Sequence, residues 1–263
     1  MPRKAREKSN SKIYHVMLRG INKQAIFEED MDYQYFLSVL MTCRDISHFI
    51  LYAYCLMNNH VHLLIREGDE EDAESMEVIF KRIGVRYSNY YNHKYGRTGH
   101  LFQDRYKSEP CEDMLYFRTL LAYIHRNPVE AGICNHPWEY PWSSWHEYMN
   151  GGKLCAVWPV LARFSSDTTE AQSMLVDLCS RPTADSCLDI DDNFRMSDKE
   201  AREILASLCD TPYAGALASW EGEERDALIR VLACLGVGIR QISRITGWSY
   251  GVVRKCVKET GRK

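Results

Sequence analysis

The chain has 263 residues, 45% of them hydrophobic and 26% charged, with a formal net charge of −3. That is an ordinary soluble composition, long enough for one main domain and a smaller one. No apolar run approaches the roughly 20 residues of a membrane span. The basic start MPRKAREKSNSK is not followed by an apolar stretch of about 7–15 residues, so it does not read as a secretory signal. The ten cysteines are scattered, without Cys-x-x-Cys pairs or zinc spacing. They read as buried thiols of a reducing cytoplasm rather than disulfides or a structural zinc site.

Charge is uneven along the chain. Arg3, Lys4, Arg6, Lys8, Lys12, Arg19 and Lys23 face only Glu7 in the first 23 residues, and residues 223–263 are also basic, whereas Glu67–Glu74 is acidic. Basic ends with an acidic middle fit local phosphate contact better than a uniform field, although solvated tails give the same pattern.

In chain order, Ile13–Gly20 reads as a first strand leading into a turn, followed by a helix with Tyr35, Phe36, Val39, Leu40 and Cys43 at helical spacing. Phe49–Met57 is an apolar buried strand, and the next strand begins at His60. A long helix spans about Ser75–Tyr95, then a loop with a short strand over Gly96–Cys111, then a helix from Asp113 to Asn127 stopped by Pro128. This is an α+β pattern, with helices covering an antiparallel sheet. The aromatic stretch PWEYPWSSWHEYMNGG reads as surface-wrapping and closes the first domain at Gly152. Residues 153–222 read as a helical linker with one secure helix at Ala201–Leu208 behind a Ser197–Glu200 capping box. Residues 223–263 give three helices with helix-turn-helix spacing, with Ser249 capping the third. Ile239, Ile242, Ile245, Val252, Val253 and Val257 supply their core, and Arg254, Lys255 and Lys258 an exposed face suited to duplex DNA. A small protein-binding bundle would have the same pattern.

Alternation puts His60 and His62 on one face of one strand, where two imidazoles suit a single divalent metal ion or, equally, sit in the core bonded to backbone. On the helix downstream, Tyr123 and Asn127 are four apart and share a face. If that face lies over the histidines, Asn127 adds an oxygen ligand and a phenol stands beside the metal, the parts of phosphodiester chemistry. Two imidazoles and an amide suit Mg²⁺ or Mn²⁺. A phenol is a poor nucleophile at neutral pH, so the metal or a cation such as Arg126 must favour phenolate. Tyr87, Tyr90, Tyr91 and Tyr95 are rival nucleophiles.

YCLMNNHVHLLI, GHLFQDRYKSEP, LLAYIHRNPVEAG and YPWSSWHEY, in this order, resemble the single-tyrosine HUH transposases, specifically the REP-associated tyrosine transposases, over about residues 12–150. The resemblance implies a ferredoxin-like sheet, His60, His62 and Asn127 as metal ligands, and Tyr123 as nucleophile. It implies cutting and rejoining of single-stranded DNA at hairpins or repeats through a 5′-phosphotyrosine, in a cytoplasmic, nucleoid-associated protein acting as monomer or homodimer. Asn58 stands where the family often has proline. Arg19, Asn22, Arg97, Arg105, Lys107 and Arg126 are expected to contact DNA, with Phe102 and Tyr106 stacking on bases. His100 and His125 are expected to be surface or bonded histidines. A DNA-binding regulator of the same fold without turnover is the alternative. A relaxase or replication protein fits less well, because relaxases place the tyrosine ahead of three histidines.

Overall fold

The computed structural model describes residues 6–181, 187, 198–209, 217, 220 and 222–260, apart from the side chains of 199 and 258–260. Contacts divide the chain into two units, Met1–Asp192 and Asn193–Lys263.

The first unit is built on β1 (Ile13–Arg19), α1 (Asp30–Ser47), β2 (Ile50–Met57), β3 (His60–Arg66), α2 (Met76–Lys94) and β4 (Lys107–Pro110). The strands form one antiparallel sheet in the order β2-β3-β1-β4, the ferredoxin-like arrangement expected from the sequence. Register decides which side chains share a face: Arg19 pairs with His60, Met17 with His62, and His15 with Leu64. Paired residues point the same way, so His15, His60 and His62 lie on one face while Leu18, Val61 and Leu63 lie on the other.

Tight local constraints hold that register. A Cβ on Gly20 would stand 2.2 Å from the Gln24 carbonyl oxygen, so the chain can leave β1 there only as glycine. The Asn58 carbonyl in the β2–β3 turn accepts from the amides of Ile26 and Phe27, and the Asn59 carbonyl from that of Gly20. The first turn of α1 carries Asp32, a fully buried carboxylate that accepts from the Glu28 and Glu29 amides, the Tyr90 and Tyr95 hydroxyls and Lys94. Burial opposes its charge, and these donors overcome it, holding the carboxyl below its ordinary range.

Strand β2 lies at the sheet edge, and the aromatic stretch after α3 (Met114–Glu130) covers it. Tyr140 and Tyr148 donate their hydroxyls to the Leu56 and Tyr52 carbonyls, both at 2.7 Å. Leu56 N–H donates to Trp142 O, and Ser144 N–H to Tyr54 O. These bonds satisfy an edge that would otherwise template aggregation. Trp145 and Tyr148, in α4 (Trp145–Asn150), are therefore core residues rather than surface wrapping.

Three further boundaries differ from expectation. Pro128 lies inside α3 and the helix runs on to Glu130. Only the last turn loses a hydrogen bond there, and buried Pro128 packs in the core. The first unit extends past Gly152 to residue 192, because α5 (Val157–Leu161) and α6 (Thr168–Ser180) bury Val160, Leu161, Ala171, Leu175 and Cys179 in the first core. The helix expected at Ala201–Leu208, seen as α7 (Asp198–Leu208), belongs to the C-terminal unit rather than to a linker, packing with α8 (Glu223–Cys234), α9 (Ile239–Thr246) and α10 (Tyr250–Thr260). Ser197 of the expected capping box lies outside the described residues, and Asp198 instead pairs with Arg244 and accepts from Gln241.

Ser144 Oγ joins two layers, meeting the Tyr54 amide at 3.0 Å and buried His125 Nε2 at 2.8 Å. Ser144→Ala leaves both without that partner and should cost about 1–3 kcal/mol of stability, measured by urea denaturation of the full chain.

Candidate active site

Helix α3 starts on a capping bond from the Tyr116 amide to the Asp113 carboxylate at 2.8 Å. Its apolar stripe, Phe117, Leu120, Leu121 and Ile124, is buried and sets the helix on the sheet. The face carrying Tyr123 and Asn127 then meets the histidines. The Tyr123 ring stands edge-on to His62 at 5.5 Å between centroids, and edge-on to His15 at 5.7 Å. The Asn127 amide nitrogen is 3.4 Å from His62 Nε2. His60 and His62 are perpendicular, with centroids 4.8 Å apart. The strand pair and the helix pair expected from the sequence thus come together. All four are buried, Tyr123 at 4% exposure with its hydroxyl covered.

Hydrogen bonds orient both imidazoles. His60 Nδ1 meets Asn59 Oδ1 at 2.6 Å, so it carries the proton and leaves the lone pair on Nε2. His62 Nδ1 meets His15 Nε2 at 2.9 Å, with those two rings stacked at 5.1 Å. Desolvation first, then the fields of His60 and His15, pushes His62 well below its ordinary value, keeping it in the neutral form that binds metals. Among the described residues no group of three or more His, Cys, Asp or Glu is arranged to hold a metal ion, so a cation here would rest on two imidazoles and an amide. That donor set fits one. The Asn127 atom that lies 3.4 Å from His62 Nε2 is the amide nitrogen, so the amide must rotate to bring its oxygen to a cation.

The rival tyrosines are engaged elsewhere. Tyr87 donates to Ile26 O and Tyr91 to Ala25 O, while Tyr90 and Tyr95 donate to Asp32. Burial, the largest cause, raises the Tyr87, Tyr90 and Tyr95 hydroxyls.

Among the expected DNA contacts, Lys107 is exposed at the start of β4 and pairs with Met17, which puts it in the same cross-strand row as His62. Arg19 ends β1 beside His60 and donates to Gln103. Asn22 is exposed, with left-handed φ of 55°. Arg97 lies over the Tyr91 ring and donates to Gln24. Arg105 is exposed and lines a cavity of about 580 Å³ with Leu18, Phe80, Gly84 and Phe102. Because Leu18 points away from the histidines, this cavity belongs to the other side of the sheet. Arg254 and Lys255 are exposed on α10, whose first turn Ser249 caps, and the Lys258 side chain lies outside the described residues. Ile242, Ile245 and Val253 are buried in that unit, with Ile239, Val252 and Val257 packed against them.

Two expected roles fail. Arg126 is turned from Tyr123 and binds the Cys179 carbonyl and Glu130, where it satisfies the end of α6 instead of favouring phenolate. Tyr106 is only 8% exposed, with the Arg6 guanidinium 3.6 Å above its ring and Phe80 against it, so it offers no stacking surface. His125 is a buried, bonded histidine and His100 is exposed. His15 was missed. Its one signal is parity with Arg19 along β1, which matters only once β1 is known to pair with β3.

Residues 8–127 match the family described as "Transposase IS200 like". No curated protein matches the chain. Among solved structures, a REP-associated tyrosine transposase bound to a REP hairpin superposes with a TM-score of 0.49 at 17% identity, over 59% of this chain and 93% of that one. A candidate transposase from Deinococcus radiodurans R1 gives 0.33 at 13% identity, over 44% and 92%. A bacterial tRNA(His) guanylyltransferase-like protein in complex with ATP gives 0.30 at 13% identity, over 65% and 72%. Among the described residues no helix is long and apolar enough to cross a membrane.

Desolvation lowers His125 to about 4. The folded value lies below the unfolded one, so this group contributes stability above pH 6.5, and the contribution fades as pH falls from there through about 4. Full loss is on the order of 3 kcal/mol. Urea midpoints taken from pH 7.5 to 4.5 should fall more steeply for the wild type than for His125→Gln; a gap independent of pH would contradict this assignment.

Proposed function

We propose that the first unit nicks and rejoins single-stranded DNA at hairpin or repeat sequences, with Tyr123 as nucleophile and His60, His62 and Asn127 holding Mg²⁺ or Mn²⁺. The observation that carries this reading is the meeting of the Tyr123 ring with His62 at 5.5 Å, across elements far apart in sequence.

The phenol oxygen attacks the scissile phosphorus, the bond from phosphorus to the 3′-oxygen breaks, and the phenol proton ends on that oxygen. The products are a 5′-phosphotyrosine and a 3′-hydroxyl, and attack by a 3′-hydroxyl on the adduct reverses the step and rejoins DNA. When bound, the cation polarises a phosphoryl oxygen and offsets the charge that develops on it. Asn59 and His15 hold the two imidazoles in place. Arg19 and Lys107 lie on the histidine face and neutralise flanking phosphates. The Tyr123 hydroxyl is covered, so DNA reaches it only when α3 and its surroundings open. In the C-terminal unit, α9, the turn at Gly247 and α10 form a duplex-reading helix-turn-helix with Arg254, Lys255 and Lys258 on α10.

A hairpin labelled at its 3′ end, downstream of the nick, incubated with protein and Mn²⁺ should yield a denaturant-resistant protein–DNA adduct. EDTA should abolish it, and Tyr123→Phe should reduce it by roughly 10³-fold or more. An undiminished adduct in Tyr123→Phe would refute the assigned nucleophile. The second reading, a DNA-binding regulator without turnover, is favoured by the covered hydroxyl; hairpin binding with no adduct under any divalent metal would establish it.

For the C-terminal unit, Arg254→Ala with Lys255→Ala should weaken duplex binding and lower the salt-dependence slope by about 1 for each phosphate contact removed. An unchanged slope would reassign these side chains to solvent.

A further inference from the structure

His15 belongs neither to the expected ligand set nor to any expected DNA contact, yet it is fully buried at the centre of the histidine face. Its Nε2 lies 2.9 Å from His62 Nδ1, the rings are stacked within 25° of parallel, and its ring edge meets Tyr123. Its own Nδ1 is buried with no hydrogen-bond partner among the described residues. An apolar side chain would fill this strand position without burying an unsatisfied polar atom, as Met17 does two residues along on the same face.

Two proton arrangements satisfy the contact between the rings, and they have opposite consequences. Either His15 Nε2–H donates to His62 Nδ1, which leaves His62 protonated on Nε2 and unable to bind a cation there, or His62 Nδ1–H donates to His15 Nε2 and the His62 Nε2 lone pair faces the site. The Asn127 amide N–H approaches His62 Nε2 at 3.4 Å, which calls for an acceptor at that atom and selects the second arrangement; His15 then carries its own proton on the buried Nδ1, and the Asn127 amide turns its oxygen inward when a cation replaces that bond.

We propose that His15 is a positioning residue that locks His62 in the Nδ1–H tautomer and fixes its ring plane, so that Nε2 is presented between Tyr123 and Asn127. It touches neither substrate nor cation and acts through His62. In that role it parallels Asn59, which accepts from His60 Nδ1 at 2.6 Å, so each ligand imidazole has its own orienting partner. The inference rests on the proposed metal-binding reading for its consequence, but the tautomer itself is measurable without metal.

The test uses the full chain labelled with ¹⁵N-histidine, in EDTA, with long-range ¹H–¹⁵N spectra that report which nitrogen of each imidazole is protonated. His62 is expected to be protonated on Nδ1 in the wild type and to become a mixture of tautomers in His15→Leu. His15→Asn, whose amide oxygen can accept the same bond, should restore the wild-type pattern. Titration of the three proteins with Mn²⁺, followed by electron paramagnetic resonance, should show affinity falling 10–100-fold in His15→Leu and recovering in His15→Asn. A wild-type His62 protonated on Nε2 would overturn the proposal, as would an unchanged tautomer and affinity in His15→Leu. Should His15→Leu fail to fold, the wild-type spectrum and His15→Asn decide the matter. A wild type with the expected tautomer but no Mn²⁺ binding would sink the metal reading and leave the positioning role standing.

Discussion

The antiparallel pairing of β1 with β3 is the constraint on which the site depends. Side chains alternate across a strand, so a slip of one residue would send Arg19, Met17 and His15 to the opposite face from His60 and His62. Glycine at position 20 and the carbonyls of the Asn58–Asn59 turn make that slip costly, since both require the chain to leave β1 and β2 at fixed places. The register thus fixes, with no further device, that three imidazoles and two flanking cations share one surface.

The two faces of the sheet are used for different purposes. On one, α1 and α2 close over apolar residues, and their tyrosines are spent on backbone carbonyls and on the Asp32 carboxylate. On the other, α3 brings a phenol and an amide down onto histidines that burial keeps neutral. The tyrosines of one face clasp backbone carbonyls and a carboxylate through their hydroxyls, whereas the Tyr123 ring packs edge-on against imidazoles. That contact sets Tyr123 apart from Tyr87, Tyr90, Tyr91 and Tyr95.

Much of this was legible in the sequence. Apolar and β-branched runs predict β1 and β2, period-2 alternation along the next strand places His60 with His62, and helical spacing places Tyr123 with Asn127. What stayed hidden depends on contacts between distant segments. A lone histidine in β1 carries no motif, and its role follows only from inter-strand register. Arg126 looked like a cation for the phenol because it is three residues away, but the direction of its side chain is set by α6, whose docking the sequence did not reveal. The domain boundary was placed at Gly152 because glycines follow an aromatic stretch. Yet Ala171, Leu175 and Cys179 form a single stripe at four-residue spacing that returns to the first core. Pro128 was read as a stop, whereas burial of the surrounding helix outweighs one missing bond near its end.

The position of β1 in the sheet bears on biosynthesis. This strand is made first, yet Tyr14 must wait for Ile65 on one side and Pro110 on the other before its backbone is satisfied. A nascent chain therefore presents an apolar ribbon with two unpaired edges for most of the time the first unit takes to emerge from the ribosome, which invites mispairing with neighbouring chains. The sheet's middle is complete only once β4 has been made and has paired with β1.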